Sequence, residues 1–174
     1  AAFEAAVTAG GFTSNADNAL FPYGTGTEAN PVYGNRYVDN RNDYCASNTM
    51  LDILVAQNDP RLSAFYNPAL ATGNWVGEVY GLSEGNGAAT PNSQVSQRSD
   101  LVLSPDLPGI YMDYASVEFM LAEAVERGWA VGGTAQAHYE AGVGASIEYW
   151  TTLNGSPATP ADIAAYIAQP AVDY

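Results

Sequence analysis

The sequence predicts a mainly α-helical protein in which helical hairpins are joined by long irregular loops and a few short strands. Apolar residues recur at helical spacing in segments 47–57, 113–152 and 159–169. A short glycine-containing turn divides the second of these segments into two helices. Segments 12–46 and 72–108 are instead rich in Gly, Asn and Pro without a helical period, which is typical of loops.

The first half of the chain contains one well-marked helix between loops. Residues 1–11 are alanine-rich and stop at a glycine pair, which indicates the end of a helix, whereas 12–46 predicts a loop with short strands. Ser47 can cap a helix over 47–57. Four apolar residues share one face of that helix: Met50, Leu51, Leu54 and Val55. Segment 61–69 favours an extended chain because it is short, apolar and aromatic.

The second half predicts an αα-hairpin over 113–152. Asp113 is placed to cap its first helix and Thr134 its second. Apolar residues at helical spacing predict the buried face of the first helix: Val117, Met120, Leu121, Ala124 and Val125. The hairpin has the size and texture of a tetratricopeptide unit. Small residues stand where the two helices of such a unit approach closely: Ala137, Ala141 and Ala145.

A third helix is predicted over 159–169. Thr159, Pro160 and Asp162 form the pattern of a capping box, in which two side chains accept hydrogen bonds from each other's backbone N–H groups. Pro170 ends the helix. Because a single hairpin cannot bury its faces as a solenoid does, we expect residues 1–174 to be part of a single domain in a longer protein.

The charge of the chain excludes several classes of function. It carries 19 acidic and 5 basic residues, all five of them arginine, so its formal net charge is −14. Nucleic acid is excluded as a partner because such binding depends largely on neutralising phosphates with Lys and Arg. Anionic membrane surfaces are disfavoured for the same reason. No segment reaches the roughly 18 uninterrupted apolar residues of a membrane span.

Carboxylates and the single histidine give weak signals for chemistry. Glu118, Glu123 and Glu126 lie on one predicted helix at spacings that a solvated face also shows, so glycoside hydrolysis is disfavoured. His138 has no second His or Cys at ligand spacing, which disfavours zinc. Segment Asp39–Asp43 alternates oxygen ligands that Ca²⁺ could use, but turn formation by Asn and Asp accounts for it equally well. We expect no catalytic residue and no cofactor, with calcium as the open alternative.

Aromatic residues in loops are the feature best suited to ligand binding. The chain contains 12 tyrosines and 3 tryptophans, interleaved with glycine and asparagine. A sugar ring presents an apolar face to an aromatic ring and hydroxyl groups to amides and carboxylates. Trp75 and Tyr80, in the loop 72–90, are therefore the predicted glycan contacts. Trp129 and Trp150 lie on the hairpin and are expected in the core.

Four stretches of the chain together resemble one protein family. They read NDPRLSAFYNPA (58–69), VGEVYGL (76–82), YASVEFMLAEAVERGW (114–129) and GGTAQAHYEAGVGASIEYW (132–150). Their order and spacing resemble the SusD/RagB family of bacterial outer-membrane nutrient-binding lipoproteins, in particular its SusD-like branch. The resemblance covers essentially all 174 residues, and family members are much longer.

The resemblance implies a tetratricopeptide-like protein without catalytic activity, in which loops bind a glycan. It implies a place on the cell-surface face of the outer membrane, through a lipid anchor outside this chain. It also implies delivery of the ligand to a SusC-type TonB-dependent transporter. Two alternatives stay open, namely a peptide-nutrient binder of the same family and a helical scaffold for protein partners.

Overall fold

Helices and short strands alternate along the chain in the computed structural model, which describes residues 2–81 and 90–174. The helices are α1 (Ala2–Ala9), α2 (Pro31–Tyr33, continued by a π-helical turn over Gly34–Val38), α3 (Asn48–Ala56), α4 (Leu62–Phe65), α5 (Tyr114–Glu126), α6 (Ala135–Leu153) and α7 (Pro160–Ile167). The strands are β1 (Ala19–Phe21), β2 (Tyr66–Asn67), β3 (Gln97–Arg98) and β4 (Gly109–Met112). The predicted mainly α-helical class is confirmed.

Two units divide these elements between them. The terminal unit comprises Ala1–Phe21 and Pro108–Tyr174, and the middle unit comprises Pro22–Leu107. In the terminal unit, β1 pairs with β4 in an antiparallel ladder. In the middle unit, β2 pairs with β3 in the same sense. Helices therefore dominate the terminal unit, whereas short elements and loops build the middle unit.

The hairpin predicted over 113–152 corresponds to α5 and α6. The Asp113 carboxylate accepts a hydrogen bond from the Ser116 N–H at 2.8 Å. The Thr134 hydroxyl accepts one from the Ala137 N–H at 3.1 Å, so both predicted caps are confirmed. Gly128 lies just beyond α5 with φ +76°, which is the left-handed backbone that usually ends a helix.

The small residue in tightest contact between the two helices is Gly142, which is not among those predicted. A Cβ atom added to Gly142 would lie 3.1 Å from the Ala115 carbonyl oxygen and 3.0 Å from the Phe119 ring. Of the predicted alanines, Ala145 is buried and Ala137 is exposed. The closest approach of α6 to α5 is therefore at Gly142, where no side chain intervenes.

The buried face of α5 also differs from the prediction. Met120 is 43% exposed, whereas Ala115, Ala122 and Glu118 are buried. Ala124, which was predicted to be buried, is buried as well. The assignment of Glu118 to a solvated face was wrong because its carboxylate bonds to His138 on the facing helix.

Helix α7 closes an apolar cluster on the outer side of α6. The cluster contains Val143 and Ile147 of α6 together with Tyr166 and Val172. The capping box at the start of α7 is confirmed: the Asp162 carboxylate accepts the Thr159 N–H at 2.9 Å, and the Thr159 hydroxyl accepts the Asp162 N–H at 3.2 Å. This box fixes where α7 begins, and its apolar residues then face the cluster.

The two hairpin tryptophans are not core residues. Trp129 is 44% exposed, and its ring packs 5.7 Å from that of Phe3 on α1. Trp150 is half-buried, with its ring 5.5 Å from that of Tyr149. The expectation of a core position was wrong for Trp129, which joins α1 to the end of the hairpin at the surface.

Helix α3 corresponds to the segment predicted over 47–57. Leu51 and Leu54 are buried as predicted, whereas Met50 and Val55 are exposed. Ser47 occupies the cap position, but its hydroxyl contacts the Thr49 hydroxyl at 2.7 Å instead of a backbone N–H. The buried face of this short helix is therefore narrower than its apolar pattern indicates.

An ion pair between Asp59 and Arg61 stabilises the turn formed by residues 58–62. Asp59 is 4% exposed and accepts both the backbone N–H and the Nε–H of Arg61, at 2.8 and 2.9 Å. Asn58 has φ +49°, a left-handed conformation that ends α3. This turn reverses the chain into α4, so the extended chain expected over 61–69 is wrong for its first half.

The loop predicted over 12–46 contains a helix that periodicity did not reveal. The side-chain oxygen Oδ1 of Asn30 accepts the Val32 N–H at 2.8 Å, and Pro31 follows as the first helical residue of α2. The Asn30 amide donates to the Leu107 carbonyl at 2.8 Å. Capping and a buried tertiary contact thus stabilise a helix that is too short to show a period.

Candidate ligand-binding site

Three segments of the middle unit meet at Ala46 and Ser96, both of which are fully buried. The Ala46 N–H donates to the Ser96 carbonyl at 2.9 Å, and the Ser96 N–H donates to the Val76 carbonyl at 2.7 Å. The Glu78 N–H donates to the Ala46 carbonyl at 2.8 Å. These bonds hold both ends of the long loop against the start of α3 and so fix the direction of the Glu78 side chain.

Gly77 permits this arrangement because its backbone touches another backbone. A Cβ atom at this position would lie 2.5 Å from both the N and the Cα atoms of Asn48. Such a contact cannot be relieved by rotating a side chain. Only glycine therefore fits at position 77. Because it does, Glu78 can form a β-bridge with Ser47.

A cavity of about 440 Å³ opens beside these segments. Polar side chains and one thiol line it: Asn40, Arg41, Asn42, Asp43, Cys45, Glu78, Thr90 and Asn92. The Thr90 hydroxyl donates to Glu78 Oε1 at 3.0 Å. The Asn92 amide donates to the Asn42 carbonyl at 2.6 Å. The lining therefore offers carboxylate, amide and hydroxyl groups, which are the groups that bind sugar hydroxyls.

Arg41 and Asp43 form an ion pair in the lining of the cavity. Arg41 Nε donates to Asp43 Oδ1 at 2.8 Å, and a second guanidinium nitrogen contacts Oδ2. This hydrogen bonding lowers the pKa of Asp43 to about 2. Burial, followed by the charge of Glu78, raises the pKa of the Cys45 thiol. At neutral pH the Asp43 carboxyl is thus ionised, and the Cys45 thiol stays protonated and unreactive.

The two predicted glycan contacts lie near the cavity along the chain but are not among its lining residues. Tyr80 is 77% exposed, and its backbone N–H donates to the Asn48 side chain at 3.0 Å. Trp75 is half-buried. Residues 82–89 of the predicted 72–90 loop lie outside the described residues. Whether Trp75 and Tyr80 contact a ligand therefore stays a prediction.

Sequence reasoning missed a group of arginines and tyrosines, of which Arg41 also lines the cavity. The Arg41 and Arg98 guanidinium carbons lie 5.3 and 5.2 Å from the centre of the Tyr44 ring. The Arg36 carbon lies 5.3 Å from the centre of the Tyr37 ring. The available signal was the recurrence of Arg and Tyr within residues 36–44.

The groups considered for catalysis and metal binding are engaged in other contacts. Glu118 bonds to His138, and Glu123 bonds to Arg127 on the same helix. Asp43, in the segment considered for calcium, binds Arg41. Within residues 2–81 and 90–174, no group of three or more His, Cys, Asp or Glu residues is arranged to hold a metal ion.

A second cavity, of about 390 Å³, lies in the terminal unit. Its lining comes from a 3₁₀ turn over Asn15–Asp17, with the residue before it, and from the end of α6: Ser14, Asn15, Ala16, Glu148, Tyr149, Thr152 and Leu153. The Asn15 amide donates to the Ala145 carbonyl at 3.0 Å and to Glu148 at 3.2 Å. These bonds join the turn to α6. The polar groups of this cavity therefore serve to hold the turn in place.

Comparison with known proteins decides the family. Residues 1–174 match the profile of the SusD-like_2 family, which is described as starch-binding and associating with the outer membrane. The chain belongs to the SusD-like family. No curated protein matches its sequence significantly. In the described part of this SusD-like chain, no helix is long and apolar enough to cross a membrane.

Solved structures of SusD-like proteins share the fold. A chitin-binding protein superposes with a TM-score of 0.79 at 26% identity, over 94% of this chain and 38% of its own. A SusD homologue from Bacteroides fragilis gives 0.79 at 25% identity, over 98% and 40%. One from Bacteroides uniformis gives 0.67 at 28%, over 90% and 30%. The chain thus spans less than half the length of these structures.

Proposed function

We propose that this chain is the glycan-binding part of a non-catalytic SusD-like protein at the cell surface. In this proposal the protein is held by a lipid anchor and passes oligosaccharide to a SusC-type TonB-dependent transporter. The observation that carries the proposal is the match of residues 1–174 to a family described as starch-binding and associating with the outer membrane. The structural similarity to a chitin-binding protein also supports a glycan ligand.

The cavity of the middle unit is the proposed binding site. Its volume of about 440 Å³ falls in the range of roughly 300 to 1,000 Å³ that is usual for small-molecule sites. Glu78, Thr90 and Asn92 offer acceptors and donors to sugar hydroxyls. The backbone bonds at Ala46 and Ser96 hold the segments that carry Glu78 and Asn92, so little ordering is needed when a ligand binds.

Tyr80 is proposed as the aromatic platform of this site. It lies two residues beyond Glu78, which places the two α-carbons within about 7 Å of each other. Its side chain is 77% exposed, so a ring face is available to a sugar. Trp75, on the other side of Gly77, is proposed as a second contact, with less exposed surface to offer.

Affinity electrophoresis in gels containing soluble starch or glycol chitin tests the proposal. The protein used is the longest natural polypeptide that contains these 174 residues. We expect retardation in at least one gel, and a loss of affinity of about five-fold or more for Tyr80→Ala, the effect of one aromatic contact. Trp75→Ala is expected to weaken binding less.

The matched control is Tyr111→Ala in the terminal unit, because Tyr111 is 76% exposed. This variant should bind like the unchanged protein. Equal losses for Tyr80→Ala and Tyr111→Ala would contradict the proposed site. Binding of a peptide mixture with no retardation by any glycan would favour the peptide-nutrient alternative.

A further inference from the structure

Three of the five arginines of this acidic chain gather on one surface of the middle unit. We call Arg36, Tyr37, Arg41, Tyr44 and Arg98 the arginine–tyrosine cluster. The rings of Tyr37 and Tyr44 are 55% and 46% exposed, and each lies under at least one guanidinium. The cluster is therefore open to solvent while its cations are held by ring contacts.

In the described part of the chain, two of these cations form no salt bridge. Within residues 2–81 and 90–174, no carboxylate lies within salt-bridge distance of Arg36 or Arg98. Burial lowers the pKa of the Arg98 guanidinium, and the charge of Arg36 lowers it further, whereas the charge of Asp43 opposes this shift only in part. Two like charges thus stand near each other in a chain with a net charge of −14. A bound anion would relieve that repulsion.

We propose that the arginine–tyrosine cluster binds anionic substituents, carboxylate or sulfate, on an acidic glycan. The inference rests on the proposed function and names a substrate class for it. A guanidinium presents paired N–H donors that match the oxygens of either group, and its weak hydration favours such contacts. Binding of a neutral sugar does not require cations, so binding of starch or chitin would not account for this cluster.

The cluster and the cavity share Arg41, so one ligand is able to reach both. Arg41 and Asp43 line the cavity, and Arg41 also lies over Tyr44. A sugar chain in the cavity would therefore bring a neighbouring substituent towards Arg98. Asp43 holds Arg41 and repels anions, so it limits how strongly the cluster attracts them.

The overall charge makes such binding specific to this surface. The net charge of −14 on these 174 residues repels polyanions, so no general attraction by this part of the protein can imitate the cluster. At physiological salt the screening length is about 8 Å, which damps distant carboxylates more than direct contacts. Binding of an acidic glycan thus requires local cations.

Paired glycans that differ only in charge test the proposal on the longest natural polypeptide containing this sequence. The carboxylate pair is polygalacturonate and its methyl ester, and the sulfate pair is dextran sulfate and dextran. We expect tighter binding of the charged member of at least one pair. The variant R36Q/R98Q should lose about ten-fold of that affinity, and R36Q alone should lose part of it without disturbing β3.

The matched control is R127Q, which removes the same charge from α5 in the terminal unit and should leave binding unchanged. D43N, which frees Arg41, should strengthen binding of the charged member. Equal losses for R127Q and R36Q/R98Q would overturn the inference. Binding of starch or chitin without preference for any charged glycan would also overturn it and leave the proposed function intact. Absence of binding to every glycan, neutral or charged, would overturn both.

Discussion

Glu118 Oε2 lies 2.6 Å from Nδ1 of His138, and this contact joins the two helices of the hairpin. Nε2 of His138 lies 3.1 Å from the Gly132 carbonyl oxygen, which can only accept, so Nε2 carries a proton. Since Glu118 is 7% exposed, its burial requires hydrogen-bond partners, which the imidazole and the Tyr114 hydroxyl supply.

Removing His138 is expected to destabilise the protein strongly. His138→Ala leaves the Glu118 carboxylate buried without this partner, and we expect a loss of about 2–3 kcal/mol in the free energy of unfolding. Urea denaturation of the single variants and of E118Q/H138A would give a coupling energy of about 1 kcal/mol or more. The control pair is Glu123 and Arg127, whose side chains are 61% and 60% exposed. Its coupling should stay below about 0.5 kcal/mol, and equal couplings would contradict the prediction.

Two glycines of α6 should respond to alanine with opposite signs. Gly142→Ala would place a Cβ atom 3.1 Å from the Ala115 carbonyl, so helix separation must increase and we expect about 1 kcal/mol of destabilisation. At Gly144 the nearest atom is Ile163 Cγ2 at 3.5 Å, an ordinary contact. Gly144→Ala should therefore stabilise by about 0.5–1 kcal/mol through helix propensity. Thermal unfolding measures both, and a stabilised Gly142→Ala would refute the close approach.

Gly77→Ala should disrupt the middle unit. The added Cβ atom would overlap backbone atoms of Asn48 at 2.5 Å. Neither of the two backbone segments can move apart without breaking the bonds at Ala46. We expect a loss of about 3 kcal/mol or more and faster hydrogen exchange at Ala46 and Glu78. Gly34→Ala serves as the control because φ is −54° and no atom lies within 4 Å of the added carbon. Unchanged exchange in Gly77→Ala would contradict this account.

Asp162 should stabilise α7 in a pH-dependent way. Hydrogen bonds from Thr159 lower the pKa of Asp162 below its ordinary 3.8. Its contribution is then fully present above pH 3.8 and is lost as the pH falls through the lower folded value. Asp162→Asn should therefore be less stable than the unchanged protein at pH 7, and the difference should shrink below pH 3.8. Urea midpoints at several pH values test this, and a difference that persists in strong acid would count against it.

Local signals accounted for the elements whose stability depends on neighbouring residues in the sequence. Asp113, Thr134 and Thr159 cap helices as predicted, because a cap bonds to backbone groups two or three residues away. The same approach missed α2, whose Asn30 is held by the distant Leu107 carbonyl. It also placed Glu118 in solvent, because its partner lies 20 residues further along the chain.

The candidate site was predictable only in part. Sequence reasoning singled out Asp39–Asp43 and the long loop separately, as a calcium alternative and a glycan alternative. The structure brings Asp43 and Glu78 to one cavity through backbone bonds between segments some 30 residues apart. Arg98 joins Tyr44 in the same way, across more than 50 positions. No local pattern encodes such pairs.

The sequence by itself determined the helical class, the hairpin with its caps, the excess of negative charge and the family resemblance. Each of these depends on composition or on residues close together in the chain. The tertiary structure alone decided that Gly142 sets the helix separation, that Gly77 admits a backbone contact, and that three arginines meet beside the cavity. These features arise because folding brings together segments that are distant in the sequence. Steric contacts and charge interactions then act between residues that no local sequence pattern relates.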